Sequence, residues 1–485
     1  MTRRLALGPK AGFCLILLLS VALRIPVAFY LGDTADPPHK RTDQITYHTL
    51  AVRLLQGHGY SFPDHWYPFT PPDTPTAHWS FLYPATIAPV YAVSGVHPLA
   101  ARIVQAIVGG ILLPWTVYRL ARRLFPQQEG LALLAMACAA GYAFFILYAA
   151  MLMTETYYIA ALLWAMERAL ALAERPTLRR AAILGLALGL TALLRQSVLP
   201  WAAVLFTWLL WAGWRSARFR RMLAASALAG GVALLCILPF TIRNYRAYGQ
   251  FLLLNSNAGY AMYASQHPMH GTDFLDYTAA PLPDDVRGLN EAQLDRELMR
   301  RGIGFILAEP ARFLLLSLDR AVNYFTFWPT PGTTLLYNTG RVVSFGFFLP
   351  FMVYGLWLAI RRAGPLRSRA DRARFMATPL ALVLLFMAFY PLLHILTWPS
   401  PRYRLPVDAV ALPFAALALR DLGQRAWTWR AARASRRAQE MDLPPAGEGP
   451  RPKVAGMRAS RQRGSSVSVL VASRLCTSSA GRSQG

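Results

Sequence analysis

Ten apolar stretches run through this 485-residue chain, and each can form a helix that crosses all or most of a lipid bilayer. One crossing takes about 20 apolar residues, and backbone groups inside a bilayer must bond within their own segment, which favours helices. The chain is 55% hydrophobic and only 15% charged. We therefore predict an all-α polytopic membrane protein with about ten transmembrane helices. The stretches lie near residues 11–31, 98–118, 130–149, 155–173, 180–194, 198–214, 222–241, 341–360, 375–397 and 403–419.

The first stretch has a basic start and could be misread as a secretory signal. However, Arg24 interrupts it, its apolar character continues to Leu31, and no small-residue cleavage site follows. We expect an uncleaved first span.

The arginines of the short loops predict the orientation, because Lys and Arg accumulate on the cytoplasmic side of a membrane. With the N-terminus inside, the inner loops contain arginine clusters within 119–123, 175–180, 215–221 and 361–374. We predict an integral protein of a bacterial inner (plasma) membrane with both termini in the cytoplasm. Residues 1–420 would form the transmembrane domain, and the basic residues 421–485 a disordered cytoplasmic tail.

Two long segments, 32–97 and 242–340, fall on the predicted outer face. The first is rich in Pro, His and Trp and turns apolar over 81–93, a length suited to an interfacial helix. The second has a helical pattern of charged and apolar residues over 291–318. We expect interfacial and amphipathic helices in both segments, which are large enough to build a site.

Charge and cysteine content exclude several classes of function. The net charge of +26 comes mostly from inner loops and the tail, so attraction to anionic membrane lipids accounts for it and nucleic-acid binding is not implied. Three of the four cysteines lie in predicted spans and Cys476 in the tail, which supports no metal site. The sequence lacks a Gly-rich nucleotide-binding loop, which argues against an ATP-driven pump.

Two acidic residues stand at the predicted outer ends of helices. Asp43 follows the first span by about a dozen residues and could act as a general base, taking the proton of an attacking hydroxyl or amine. It could equally cap the start of a helix. Glu155 opens the fourth span, where capping is the commoner role of an acid.

Five arginines also fall at outer ends of spans: Arg195, Arg243, Arg246, Arg402 and Arg404. The planar guanidinium fork suits phosphate oxygens, and a lipid-linked phosphate would arrive at this depth. The alternative is that the arginine stems lie in the bilayer and the charged heads reach the outer headgroups. Tyr403 and Trp398 fit an interfacial aromatic belt, and His394 fits a packed position better than a catalytic one.

The order of these features resembles the family 39-like glycosyltransferases of the C-type (GT-C) fold. That group includes dolichyl-phosphate-mannose protein mannosyltransferases and lipid A aminoarabinose transferases. The resemblance covers most of residues 10–420. It rests on Asp43 with Tyr47, Gln56-Gly57-His58-Gly59-Tyr60, Tyr83-Pro84, Thr154-Glu155, Leu193-Leu194-Arg195, Arg243-Asn244-Tyr245 with Gly249, and Arg402-Tyr403-Arg404-Leu405-Pro406.

The resemblance implies a sugar transferase whose donor is a polyprenyl-phosphate sugar and whose catalytic base is Asp43. Glu155 would orient donor or acceptor. Donor-phosphate contacts would come from Arg195, Arg402, Arg404 and Arg243, and further substrate contacts from Tyr47, His78, Tyr83, His394 and Tyr403. The sequence departs from the family before Tyr83-Pro84, where a basic residue and a proline often occur but His78-Trp79-Ser80-Phe81-Leu82 stands here. His78 is a candidate substitute for the basic residue.

From the residues and the resemblance together, we expect a membrane glycosyltransferase that works on the outer face. The acceptor could be a glycan, a lipid or a protein, no cofactor is implied, and a need for divalent metal stays open. Two alternatives are a lipid or small-molecule transporter, which intramembrane charges would also fit, and a non-catalytic subunit with the same scaffold. The sequence shows no internal repeat of the kind common in transporters.

Overall fold

A computed structural model describes residues 8–35, 43–66, 70–275 and 278–441, with side chains up to residue 435. Over these residues the chain forms helices and short turns and no β-strand. The helices are α1 (Pro9–Leu31), α2 (Asp43–Leu55), α3 (Leu82–Ser94), α4 (Pro98–Leu124), α5 (Glu129–Gly141), α6 (Ala143–Ala150), α7 (Glu155–Glu174), α8 (Leu178–Leu194), α9 (Val198–Arg215), α10 (Phe219–Tyr248), α11 (Ala258–Gln266), α12 (Glu291–Ala308), α13 (Pro310–Phe325), α14 (Leu335–Arg341), α15 (Phe347–Arg362), α16 (Arg369–Phe375), α17 (Pro379–Leu396) and α18 (Leu405–Met441).

Every apolar stretch of the sequence lies on a helix, so the all-α membrane fold is confirmed. Among the described residues, five helical segments are long and apolar enough to cross a membrane, or six if the bent pair α5–α6 forms one span. These segments are α1, α4, α10, the run from α14 through a π-turn to α15, and α17. The number of ten crossings stays a prediction.

The span predicted over 130–149 is bent by 55° between α5 and α6, at Gly141 and Tyr142. A bend of this size leaves carbonyls at the end of α5 without helical partners. Arg24 of α1 is fully buried and donates to the carbonyl of Ala140 at 3.0 Å and to that of Ser20 at 2.7 Å. The charge that interrupts the first apolar stretch therefore binds the broken end of a neighbouring helix.

The two long segments pack on each other and form one structure, which we call the loop layer (the described residues of 43–97 and 242–340). Its central contact is the buried carboxylate of Glu291, which accepts hydrogen bonds from Thr70 Oγ1, the Ala77 amide and Ser256 Oγ, each at 2.8 Å. A buried carboxylate is tolerated when several donors satisfy it. Glu291 thus joins the two segments at the start of α12.

Two local features build the second half of the loop layer. Asn290 caps α12 in a reciprocal capping box with Gln293. A Cβ atom on Gly259 would lie 1.8 Å from the backbone oxygen of Asp295, so glycine is what allows α11 to approach α12 so closely. Gly259, in the first turn of α11, therefore serves helix packing.

Helix α13 is amphipathic, as its sequence pattern predicts. Leu314 and Leu318 are more than half exposed, while Arg320 on the opposite side of the helix is fully buried. Arg320 donates to Gln266 Oε1 at 3.2 Å, at the end of α11. The exposed side of α13 is apolar, which suits a helix at a membrane boundary.

Helix α18 continues to Met441, whereas the sequence was expected to lose order after residue 420. The extra helical residues are rich in Ala and Arg, which are strong helix formers. The domain boundary at residue 420 stays a prediction. Residues 442–485, which include Cys476 and most of the predicted disordered tail, lie outside the described residues.

Candidate active site

Four separate segments bring two acids and two arginines together. Asp43 is the first residue of α2, and Glu155 is the first residue of α7. Arg195 ends α8, and Arg402 lies in the short 3-10 turn Pro401–Arg404 between α17 and α18. All four are residues that the sequence predicted as functional. We call them the acid–arginine cluster.

The first pair of the cluster joins Asp43 to Arg402. Arg402 Nη1 donates to Asp43 Oδ2 at 2.5 Å, although 359 residues separate the two. Both side chains are about a quarter exposed, at 24% for Asp43 and 23% for Arg402. Burial lowers the pKa of Arg402, but the neighbouring Asp43, Tyr403 and Glu155 outweigh it and hold that pKa above its usual value. The guanidinium is therefore a permanent cation.

The second pair joins Glu155 to Arg195. Arg195 Nη2 donates to Glu155 Oε1 at 2.5 Å, and Arg195 Nε donates to Thr154 Oγ1 at 2.8 Å. The two pairs are neighbours, since Arg402 Nε lies 3.9 Å from the same Glu155 oxygen. Neither acid therefore serves only as a helix cap, and Arg195 and Arg402 do not merely extend towards headgroups.

The ring of Tyr403 packs against both guanidinium groups. The central carbon of Arg402 lies 5.0 Å from the ring centroid, and that of Arg195 lies 5.2 Å from it. Arg402 Nη2 also donates to the Tyr403 hydroxyl at 3.2 Å. The imidazole of His394 stacks on the same ring, with centroids 4.8 Å apart. These contacts fix both cations without neutralising them.

Several buried polar atoms around the cluster have no hydrogen-bond partner among the described residues. They are Glu155 Oε2, Thr156 Oγ1, His394 Nε2 and Ser400 Oγ. Glu155 itself is only 1% exposed. Buried polar atoms are almost always bonded in folded proteins, so a concentration of unbonded ones is typical of a functional site. Together with the two ion pairs, they mark this region as the candidate active site.

Three of the predicted substrate contacts lie beside the cluster. The ring of Tyr47, one turn along α2 from Asp43, packs on Tyr83 with centroids 4.9 Å apart. Burial and the nearby Asp43 raise the pKa of the Tyr47 hydroxyl. Burial also lowers the pKa of His78 to about 4, although Glu291 and Asp43 act to raise it. His78 is thus neutral at pH 7 and cannot replace the positive charge of a basic residue.

Two arginines that were predicted to bind phosphate lie elsewhere. Arg404 is fully buried, pairs with Asp408 at 3.2 Å and donates to the carbonyl of Tyr324 at 2.9 Å, so it is enclosed by protein. Arg243 donates to the carbonyls of Tyr60 and Thr76 in the loop layer. Neither contacts the acid–arginine cluster. For Arg404 a sequence signal existed, because Asp408 stands four residues later, the spacing of a helical ion pair.

Several residues that hold the cluster in place were not predicted from the sequence. Thr154 accepts from Arg195, and Gln44, directly after Asp43, binds both Arg102 and the amide of Leu152. No sequence pattern pointed to Gln44 or Arg102. Among the described residues, no three His, Cys, Asp or Glu side chains are grouped as metal ligands.

The arrangement has a definite chemical capacity. Two carboxylates can accept a proton or orient a hydroxyl, and two fixed guanidinium groups can bind a phosphate. Opposite charges balance across the four residues, so an arriving anion would compete with the carboxylates for the same donors.

Comparison with known proteins gives one family match. The family described as dolichyl-phosphate-mannose-protein mannosyltransferase matches residues 76–242. The matched stretch contains Glu155 and Arg195 but lies between Asp43 and Arg402. No curated protein matches the chain in sequence.

Similar solved structures come from an archaeal enzyme. The oligosaccharyltransferase AglB from Archaeoglobus fulgidus, in complex with an inhibitory peptide and a dolichol-phosphate, superposes with a TM-score of 0.54 at 17% identity, covering 88% of this chain and 52% of that one. Its apo form gives 0.54 at 16% identity, covering 90% and 53%. The complex with zinc and sulfate gives 0.51 at 17% identity, covering 89% and 51%. The chain has a GT-C-like fold.

The resemblance that the sequence suggested is thereby confirmed for the fold. The chain spans about half the length of the archaeal enzyme.

Proposed function

We propose that this protein is a membrane glycosyltransferase that moves a sugar from a polyprenyl-phosphate donor to an acceptor on the extracytoplasmic face. The observation that carries the proposal is the pairing of Asp43 with Arg402 beside the pairing of Glu155 with Arg195. A candidate base and two candidate phosphate ligands thus meet at one place. The family match over 76–242 and the GT-C-like fold support the same class of reaction.

In this proposal, Arg195 and Arg402 bind the phosphate of the donor. Guanidinium groups stay charged and donate in a planar fork, which matches phosphate oxygens. Arg402 reaches the phosphate only by sharing or leaving Asp43, whose carboxylate it binds at 2.5 Å. Donor binding would therefore release the carboxylate that the reaction needs as a base.

The transfer itself is a displacement at the anomeric carbon of the sugar. The acceptor hydroxyl or amine attacks that carbon while Asp43 takes the proton. The bond from the anomeric carbon to the phosphate oxygen breaks, and the polyprenyl phosphate leaves with the electron pair. The two arginines stabilise the negative charge that grows on the leaving phosphate, which lowers the barrier.

Glu155 has a different place in this scheme. It is almost fully buried and tied to Arg195, with one carboxylate oxygen unbonded among the described residues. We assign it to orienting Arg195 and a hydroxyl of the bound sugar. Asp43 is more exposed and stands at the start of the loop-layer helix α2, where an acceptor from outside can reach it.

We also propose that the protein lies in a bacterial inner membrane, with its active site on the outer face. The arginine clusters of the short loops support this orientation, since Lys and Arg accumulate on the cytoplasmic side of a membrane and the two long segments then fall on the outer face. The acceptor would be a cell-envelope glycan, lipid or protein that meets the loop layer.

The test has two parts. Mass spectrometry of cell-envelope glycolipids and glycoproteins, with and without the gene, should show the loss of one sugar. Purified protein in liposomes should then transfer a labelled sugar from polyprenyl phosphate to the acceptor so identified.

A transporter would give a different result in the same liposomes. Labelled lipid would cross the bilayer with its sugar still attached, and no polyprenyl phosphate would be released. An envelope with unchanged sugars in the deletion strain, and no bond cleavage in liposomes, would refute the glycosyltransferase proposal.

A further inference from the structure

We propose that Arg102 and Gln44 act as a positioning pair that sets the distance between Asp43 and Glu155. We call these two residues the Arg102–Gln44 clamp. The inference rests on the proposed function, because it gives the two carboxylates roles in one reaction. It concerns residues that touch neither donor nor acceptor in that scheme.

The guanidinium of Arg102 donates hydrogen bonds to three separate segments of the chain. It lies in the first turns of α4, is 2% exposed and donates to the carbonyls of Gly32 at 3.2 Å and Thr34 at 2.6 Å, in the turn after α1. It also donates to the carbonyl of Ala150 at 3.0 Å, where α6 ends. Its fourth acceptor is Gln44 Oε1 at 2.9 Å.

Gln44 links the start of α2, where Asp43 stands, to the segment that leads to Glu155. It follows Asp43 directly in α2, so fixing its side chain fixes the helix start on which Asp43 stands. The same Oε1 atom accepts the amide of Leu152 at 3.1 Å, three residues before Glu155. One amide oxygen thus holds the segment that leads into α7.

Gln105, one turn further along α4, strengthens the same contact. Its side-chain nitrogen donates to the carbonyls of Tyr148, Ala149 and Met151, and its oxygen accepts from the hydroxyl of Tyr83 at 2.6 Å. This face of α4 therefore binds the end of α6 and the irregular chain that follows it in several places. That segment has few helical hydrogen bonds of its own.

Arg102 does not serve as an ion-pair partner. Among the described residues, no carboxylate lies within 4.0 Å of it, and all its acceptors are carbonyl oxygens or the Gln44 amide. A buried guanidinium without an acid is costly unless neutral acceptors satisfy it. Its five fixed donors suit several carbonyls from different segments, which a lysine could not bind together.

Positioning of this kind has a kinetic signature. A shift of about 1 Å in a reacting group can slow a reaction about a hundredfold. Loss of the clamp moves Asp43 relative to Glu155 but leaves Arg195 and Arg402 in place. The rate of transfer should therefore fall while affinity for the donor lipid is kept.

Arg24 provides a matched control. It is a buried arginine on the adjacent helix α1, and it too binds carbonyls beside the bent α5–α6 span. Its hydrogen bonds to described residues reach neither α2 nor the segment before Glu155. Arg24→Met and Arg102→Met both remove a buried guanidinium, but only the second opens the clamp.

The first measurement is hydrogen exchange of the full-length protein in lipid nanodiscs. In Arg102→Met, the Leu152 amide should exchange at least about fivefold faster than in the wild type, because its acceptor is no longer held. In Arg24→Met, exchange should rise near residues 139–142 and stay unchanged at Leu152. If the Leu152 amide exchanged at the same rate in Arg102→Met and in the wild type, the proposed clamp would be refuted.

The second measurement is transfer per folded molecule, with binding of polyprenyl phosphate measured separately. Arg102→Met should lower kcat about a hundredfold with an unchanged Kd for the lipid phosphate, and Arg102→Lys should recover only part of the rate. Equal losses in Arg24→Met and Arg102→Met would show a purely structural role. A wild-type protein that transfers no sugar would refute the proposed function instead, and the exchange rates would still support or overturn the clamp.

Discussion

At the scale of single residues, the buried and half-buried arginines bind three kinds of partner. Arg402 and Arg195 bind the acids of the candidate active site, Arg404 binds the buried Asp408, and Arg102 and Arg24 bind backbone carbonyls. Only the first kind can exchange its partner for a substrate phosphate, because it is partly exposed. Exposure and partner, rather than depth in the membrane, thus separate the arginines that we propose to bind the donor from the structural ones.

Replacing Arg402 tests its assignment as a phosphate ligand. Arg402→Gln should weaken binding of polyprenyl phosphate by about 2 kcal/mol, since a charge-assisted contact is lost. Titration of the lipid into purified protein measures this change. Arg246→Gln is the matched control, because Arg246 is exposed at the outer end of α10. Equal affinity in the two variants would contradict the assignment.

Replacing Arg404 should have the opposite profile. Arg404→Met leaves Asp408 as a buried charge without its cation, and breaking such a pair costs about 3–5 kcal/mol. The free energy of unfolding should fall by that order, while the folded fraction binds polyprenyl phosphate normally. Adding Asp408→Leu should recover part of the loss. If a folded Arg404→Met protein bound polyprenyl phosphate more weakly, Arg404 would have to be counted among the phosphate ligands.

At the scale of helices, the sequence predicted the elements well because hydropathy decides where a span forms. It also placed Asp43 and Glu155 at helix starts and the arginines at helix ends. It did not reveal the bend at Tyr142, since glycine and tyrosine occur in straight helices too. The partners of Arg102 and Arg24 are carbonyls at broken helix ends, and these become visible only once the helices are packed.

Helix α12 provides a pH-dependent test of the loop layer. Burial raises the pKa of Asp295 to about 6, and its carboxylate accepts the Gly259 amide at 2.6 Å. Below its unfolded pKa of about 3.9, Asp295 is protonated in both states. Between about 3.9 and 6 the folded state holds a proton that the unfolded state has lost, so stability falls as the pH rises.

Asp295→Asn should remove this dependence and, at pH 7, stabilise the loop layer by up to about 3 kcal/mol, because the amide keeps the acceptor without the buried charge. Hydrogen exchange of α11 and α12 at pH 4.5 and pH 7 measures the difference. A pH slope that persists in Asp295→Asn would show that another group is responsible.

At the scale of the whole molecule, the GT-C-like fold brings residues from both ends of the membrane domain together. Asp43 and Arg402 are 359 positions apart and lie on either side of the stretch that matches the mannosyltransferase family. The loop layer contains α2, which begins at Asp43, and the turn before α18 carries Arg402 to it. The sequence could predict these members one by one, but their pairing depends on the packed fold.

Sugar transfer by Asp43→Asn in liposomes tests most directly whether Asp43 is the general base of a glycosyltransferase. Loss of a general base slows a reaction about 10²–10⁴-fold, and the amide keeps the shape of the side chain. We predict a loss of that order per folded molecule, with polyprenyl phosphate still bound. Asp33→Asn, a change at an exposed acid paired with His97, should transfer at the wild-type rate. Near wild-type transfer by folded Asp43→Asn would contradict the role of Asp43 as the general base.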